Sequence, residues 1–216
     1  MNFELARTQM LGQQLRAWDV LDDRVLNALA SVPRERFAPE EYRSLAFADT
    51  EIPLPHGQSM LAPKIEGRLL QALALEPVDE ALEVGTGTGY LTAVMARLAR
   101  RVVSIDIFPD FVERARAALA QREVGNVELV TGDALAFAPA SRFDAIAVTG
   151  SVPKLDEHFI RMLKPGGRLF IVVGRPPVME ALLVTKAGDE RYSSESLFET
   201  VLTPLVNAEQ PEPFVL

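Results

Sequence analysis

Glu83-Val84-Gly85-Thr86-Gly87-Thr88-Gly89-Tyr90 is the stretch that decides the fold. The apolar residues 81–84 before it read as a strand, and residues 90–98 after it read as a helix. Glycine at every second position lets the backbone turn sharply between the two and lets a ligand approach without meeting a Cβ. The spacing is G-x-G-x-G, one residue between successive glycines, not the G-x-G-x-x-G of dinucleotide binders.

Downstream, strands and helices alternate. Strands are expected at 81–85, 101–106, 127–132, 143–150 and 168–174. Helices are expected at 90–98, 109–121 and 156–163. Short apolar strands separated by helical segments predict a parallel sheet covered on both faces. Lys164-Pro165-Gly166-Gly167 predicts a tight turn into the fifth strand. Residues 180–186 and 197–205 read as two further strands, the final antiparallel hairpin, and residues 208–216 as an extended tail.

Upstream, the chain reads as helices and loops. Leu11, Leu15 and Trp18 share one helix face, and Asp22 caps a second helix with Val25, Leu26 and Leu29 inside. Pro33 ends that helix, Pro39 opens a short one, and residues 50–63 form a loop before a helix carrying Ile65, Leu69 and Leu73. The expected division is 1–80, helices and a substrate-side loop of the same domain, and 81–216, the nucleotide-binding core.

The chain has 216 residues and a hydrophobic share of 48%, enough for a sizeable core. A net charge of −8 argues against a broad nucleic-acid surface, which needs clustered Lys and Arg. There is no cysteine, and the two histidines, His56 and His158, lie far apart, so no metal site is expected. Glu4 and Arg7 interrupt the first turns, so no signal peptide is expected, and no apolar run is long enough for a membrane span. The expected setting is cytoplasmic, with no nucleic-acid and no membrane partner.

Asp106 ends the second strand about 20 residues after the glycine turn begins, the place from which a carboxylate accepts hydrogen bonds from ribose hydroxyls. Gly132-Asp133 ends the third strand; Asp133 is a candidate acceptor for an adenine amino group, or a turn acid. Ile107 and Phe108 flank the adenine or belong to the core. The short glycine spacing is typical of S-adenosylmethionine (SAM) enzymes. SAM has no phosphates, so no helix N-terminus must hold a pyrophosphate, and its sulfonium cation suits an acidic pocket. Glu83 either meets the methionine ammonium, directly or through water, or is a strand residue held by its neighbours. Gly85, Thr86, Gly87, Gly89 and Thr149 complete the expected cofactor-binding set.

Several boxes in order resemble the protein-L-isoaspartate (D-aspartate) O-methyltransferases. They are Val32 to Pro39 for V-P-R-E-x-F-x-P, Pro55 to Pro63 for G-x-G-Q-T-I-S-x-P, Glu83 to Tyr90 for E-V-G-T-G-S-G-Y, Phe143 to Thr149, Leu163 to Leu169, and Thr203-Pro204-Leu205. The resemblance covers nearly the whole chain. It implies an α/β fold, a Rossmann-like class I SAM-dependent methyltransferase with a seven-stranded, mostly parallel sheet and an N-terminal helical extension. It implies SAM as cofactor and, as partner, a protein or peptide substrate with isoaspartyl residues. The family's T-I-S element places a threonine and a serine beside the substrate carboxylate. Here Ser59 keeps the first hydroxyl, but Leu61 replaces the serine. Lys64 stands where the family often has an aromatic residue or histidine, either as a charge partner for the substrate or as a solvated lysine.

A carboxylate nucleophile is ionised at neutral pH and needs no general base. The protein's work is alignment, water exclusion and charge placement. The expected acceptor-side residues are Ser59, taken as the catalytic hydroxyl, with Gln58, Leu61 and Ser151 as further substrate-binding residues; His56 is a weaker candidate. Because leucine cannot orient a carboxylate, two alternatives stand beside isoaspartyl methylation: a small or apolar acceptor, and a SAM-binding homologue without turnover. An NAD-dependent oxidoreductase is disfavoured by the glycine spacing.

Overall fold

The computed structural model describes residues 2–188 and 191–208; all but the first residue of the expected tail 208–216 lies outside the described residues. The chain opens with α1 (Phe3–Gln9), where the Asn2 side chain caps the Leu5 N–H. The helix then widens through Met10–Leu15 and tightens through Arg16–Trp18. This change of pitch rotates the expected face. Met10 and Leu15 are buried, while Leu11 and Trp18 are only half-buried.

The second helix, α2 (Asp23–Ser31), starts as expected at Asp22, whose carboxylate accepts from the Arg24 N–H at 2.8 Å. A tight 3-10 turn, Glu40–Leu45, follows Pro39. The expected loop 50–63 holds a two-stranded ribbon, β1 (Ile52–Pro53) and β2 (Ser59–Met60), paired antiparallel. Next comes α3 (Pro63–Leu73), with proline in its first turn, where the missing N–H costs nothing.

The sheet consists of β3 (Glu80–Val84), β4 (Arg101–Asp106), β5 (Val127–Thr131), β6 (Phe143–Val152), β7 (Leu163–Arg175), β8 (Val178–Lys186) and β9 (Tyr192–Glu199). Its helices are α4 (Tyr90–Leu98), α5 (Pro109–Ala120) and α6 (Glu157–Arg161). The strand order is β5-β4-β3-β6-β7-β8-β9, and only β8 runs against the others. The order reverses between β3 and β6. That reversal opens a crevice at the strand tips, the general ligand position in such sheets.

Alternation along the strands builds two apolar layers. Leu82, Val84, Val103, Ile105, Ile146 and Val148 face one side. Ala81, Val102, Ala145, Ala147, Phe170 and Val172 face the other, in a cluster that also takes in Met10, Leu29 and Leu69 of the N-terminal part. The turn at Lys164-Pro165-Gly166-Gly167 sits at the start of β7, where the partner of Phe143 is Leu163 but that of Ala145 is Arg168.

The last strand departs from expectation. It spans Tyr192–Glu199, not 197–205. Its residues are mostly exposed and polar, as an edge strand allows, so it lacks an apolar alternation. The apolar residues that suggested a strand further on, Leu202 and Leu205, leave the sheet and pack on its tips. Pro204 offers no N–H to a ladder there.

Candidate functional site

At the tip of β3 the glycines divide their work. Gly85 has φ +95°, and a Cβ on it would stand 2.2 Å from Thr149 Oγ1. Thr149 Oγ1 lies 2.9 Å from the Val84 carbonyl and 3.1 Å from that of Gly85, so its hydroxyl donates back to the β3 tip. Gly89 has φ +79°, and a Cβ there would press on Ala115 at 2.9 Å. It serves the packing of α4 on α5 and is not on the cavity wall. Gly87 is on that wall, and its N–H donates to Asp106 Oδ2 at 2.9 Å. Asp106 Oδ1 accepts from the Phe108 N–H at 3.0 Å. The carboxylate, 7% exposed, thus ties the β4 tip to the glycine turn. Burial pushes its pKa up against the pull of these N–H groups, and the net shift is upward.

Around this turn lies a cleft open to solvent. Asp106, Ile107, Phe108, Gly132 and Asp133 form one side; Gly85, Gly87 and Thr149 form its floor. Asp133 Oδ1 accepts from the Leu135 N–H at 2.9 Å, and Oδ2 from Asn207 Nδ2 at 3.0 Å. Two carboxylates line the cavity and no Lys, Arg or His does, among the described residues. Such a donor set fits a cation bearing hydroxyl and amino groups. It does not fit a pyrophosphate, whose charge would stand unopposed.

Gln58, Ser59 and Leu61 bring the β1–β2 ribbon to the opposite wall. Leu61 is 6% exposed, its side chain turned to the cavity. Ser59 Oγ donates to Glu51 Oε2 at 2.6 Å. Behind the ribbon, Arg34 is buried and donates to the Leu61 carbonyl at 2.5 Å, the Ala46 carbonyl at 2.7 Å and the Glu66 carboxylate, with its guanidinium 4.7 Å from the Tyr90 ring centre. His56 is not on the wall. It stacks on Phe108 at 4.1 Å and bonds Asp110 at 3.0 Å, clasping the ribbon to the start of α5. Lys64 pairs with Asp49 at 2.9 Å and stands 4.3 Å from the Trp18 ring centre, so it is neither free nor on the wall.

Three further candidates lie off the cavity wall, Glu83 as the strand residue held by its neighbours that is one of its two readings. Glu83 is fully buried behind the cavity floor. Its Oε2 accepts from Ser104 at 2.5 Å and from Thr92, while Oε1 is a buried oxygen with no partner. Burial pushes Glu83 up to about 8. Thr86 bonds Ser104 at 2.6 Å inside the same cluster and is also off the wall. Ser151, expected at the substrate, is 1% exposed and donates to the Leu202 carbonyl at 2.8 Å. Its backbone bonds the same segment: the N–H donates to the Thr203 carbonyl at 3.0 Å, and the carbonyl accepts from the Leu205 N–H at 2.9 Å. Ser151 therefore holds a strap of chain across the strand tips.

The strap is part of the site, not the strand end that residues 197–205 suggest. Thr203, Pro204, Leu205 and Val206 close the cavity between β6 and Asp133. A Cβ on Gly150 would lie 2.7 Å from Leu205, so the bare glycine is what lets the strap come down. Leu54, Phe111 and Leu135 are further apolar wall residues, which carry no motif of their own. The available signal was the Thr203-Pro204-Leu205 box, an apolar motif with a proline unsuited to a central strand.

Fold and cavity together define a Rossmann-like methyltransferase. The family model described as Protein-L-isoaspartate(D-aspartate) O-methyltransferase (PCMT) matches residues 6–210. The protein-L-isoaspartate O-methyltransferase of Koribacter versatilis is 37% identical over 205 residues, 94% of this chain and 92% of that protein. Protein-L-isoaspartate O-methyltransferase 1 of an Anaeromyxobacter species is 39% identical over 201 residues, 92% and 95% of the two chains. In fold, the chain is similar to the beta-aspartate methyltransferase (PCMT) from Plasmodium falciparum solved with S-adenosyl-L-homocysteine, with TM-score 0.81 at 22% identity, over 95% of this chain and 98% of that one. The chain belongs to the protein-L-isoaspartate (D-aspartate) O-methyltransferase family.

Proposed function

We propose that this protein is a SAM-dependent carboxyl O-methyltransferase that esterifies the free carboxylate of isoaspartyl residues in damaged proteins. Family membership supports the reaction, and one observation carries it to this chain: a cavity at the switch point with two carboxylates, glycine edges and no cation. SAM supplies an electrophilic methyl group on a sulfonium sulfur, so the C–O bond forms as the C–S bond breaks and the electron pair returns to sulfur.

The chain's own residues do the positioning. Asp106, with an N–H from Gly87 on one oxygen and from Phe108 on the other, retains lone pairs for ribose hydroxyls. Asp133, at the next strand tip, takes the adenine amino group, with Ile107 and Phe108 as apolar flanks. Gly85 and Gly87 allow close approach, and Thr149 fixes the floor. Glu83, buried behind the floor, takes Ser104 and Thr92 and braces the glycine turn from beneath. Gln58, Ser59 and Leu61 face the acceptor, with Ser59 as the available hydroxyl. The strap and the His56 clasp exclude water, which strengthens every charge interaction inside.

In this reading residues 1–80 supply the acceptor side and residues 81–216 the cofactor side of one domain, supported by the apolar cluster that joins Met10 to Leu202. No helix among the described residues is long and apolar enough to cross a membrane. A chain without cysteine suits a reducing compartment such as the cytoplasm. The test is labelled SAM with paired peptides that differ only in an isoaspartyl or aspartyl linkage. Incorporation into the isoaspartyl peptide alone is expected; equal incorporation, or none, rejects the assignment. Leu61 on the acceptor wall favours one second reading, an apolar acceptor, which turnover of a small lipophilic carboxylate in preference to the peptide would establish.

A further inference from the structure

The register of the β1–β2 ribbon sets what an acceptor meets at the cavity rim. Ile52 and Met60 oppose one another and are both buried, at 0% and 4% exposure, which leaves the ribbon one way to lie. Pro53 and Ser59 pair on the other face, and the side chain of Glu51, just before β1, meets the Ser59 hydroxyl. Ser59 and Leu61 line the cavity, and the exposed Glu51 lies beside it, its Oε2 accepting the Ser59 hydroxyl at 2.6 Å. No cation offsets it on the wall. The nearby Lys64 ammonium is taken by Asp49 at 2.9 Å. A carboxylate arriving here meets an acid that already holds the ribbon's hydroxyl, and a leucine that offers no donor in its place.

We propose that Glu51 is a specificity-determining residue of the acceptor site, selecting isoaspartyl segments that carry a Lys or Arg side chain beside the reacting carboxylate. The acceptor's cation pairs with Glu51, the Ser59–Glu51 hydrogen bond breaks, and Ser59 donates to the acceptor carboxylate instead. Each group lost to one partner gains another, so the exchange leaves no charge or donor unpaired. An acceptor flanked by Asp or Glu places a second like charge against Glu51 and leaves Ser59 engaged. This inference rests on the isoaspartyl reading above.

Two isoaspartyl peptides that differ only in Lys or Glu at the following residue test it, with kcat and KM measured for the natural chain and for Glu51→Gln. For an exposed pair the expected preference for the Lys peptide is about 3- to 5-fold in kcat/KM at low salt, expressed in KM, and it shrinks as ionic strength rises. Glu51→Gln should bring the two peptides to parity by improving the Glu peptide. Calorimetry of both peptides in the presence of S-adenosyl-L-homocysteine should give the same order without turnover. Equal handling of the two peptides by the natural chain, or a preference that survives Glu51→Gln, overturns the role of Glu51 alone. Methylation of neither peptide by either protein overturns the isoaspartyl reading, and the Glu51 assignment falls with it.

Discussion

Asp106 joins two jobs in one side chain: it closes the glycine turn through Gly87 and Phe108, and it faces the cavity. Asp106→Ala should raise the SAM dissociation constant at least about tenfold by calorimetry, the order of a hydrogen bond of roughly 1.5–3 kcal/mol to a charged acceptor. An unchanged constant would remove Asp106 from the cofactor site. Leu61 poses the opposite case, an alkyl group on the cavity wall. Leu61→Ser should raise kcat/KM for an isoaspartyl peptide by about 2- to 10-fold, one ordinary hydrogen bond of roughly 0.5–1.5 kcal/mol. It should also lower the melting temperature, because a buried leucine is truncated, at a cost of about 2 kcal/mol or more. No gain in activity would mean that other acceptor contacts have changed with it. Both residues were readable from the sequence because each sits in a motif whose neighbours define it. Ser151 was misread for the same reason in reverse: a serine at a strand end looks the same whether it serves a ligand or a neighbouring chain segment.

Among the elements, the strap 200–208 is the one held by few bonds over much function. Among the described residues its ties are the Thr200 N–H on the Met179 carbonyl, two backbone hydrogen bonds to Ser151, the Ser151 hydroxyl on Leu202, and Asn207 on Asp133. Ser151→Ala should leave the Leu202 carbonyl without its donor and loosen the strap by about 1 kcal/mol. Limited proteolysis within 200–208 should then quicken several-fold, and SAM should slow it again. Cleavage at the natural rate would show that the backbone bonds suffice. The strap was hidden because Val201, Leu202 and Leu205 carry apolar character without a strand's pairing. The edge strand β9 was hidden because pairing does not require apolar residues at an edge. The β1–β2 ribbon was read as loop because two-residue strands show no periodicity at all.

Across the whole molecule, buried charge links the N-terminal segment to the sheet. Arg34 reaches Glu66, Leu61 and Ala46 and stacks on Tyr90, so the Val32 to Pro39 box, the acceptor ribbon, α3 and α4 share one node. Beneath it lie two acids raised by burial, Glu66 to about 7 against the pull of Arg34, and Glu83 to about 8 against Ser104 and Thr92. Between the ordinary value of 4.5 and these raised values, the folded chain holds protons that the unfolded chain releases. Their contribution to stability is complete below pH 4.5 and is lost as pH rises toward 7 for Glu66 and 8 for Glu83, with a slope of up to about 1.4 kcal/mol per pH unit for each proton. Glu83→Gln should therefore flatten the fall in melting temperature between pH 5 and pH 8. Parallel melting curves for the two proteins would show that Glu83 is ionised throughout.

The sequence alone determined what local order determines: the strand–glycine–helix unit, the alternation of β and α, the carboxylates at successive strand tips, and the boxes shared with a family. These are written within a few residues of each other, because backbone sterics and hydrogen bonding act at that range. Only the tertiary structure decided which side chains face the cavity and which face the chain itself. Glu83 went inward because alternation puts it on the α4 side of β3, Ser151 was taken by the strap, and Glu51 came beside the cavity through its hydrogen bond to Ser59 across a short ribbon. Such choices depend on segments far apart in sequence meeting in space, and no short-range pattern records them.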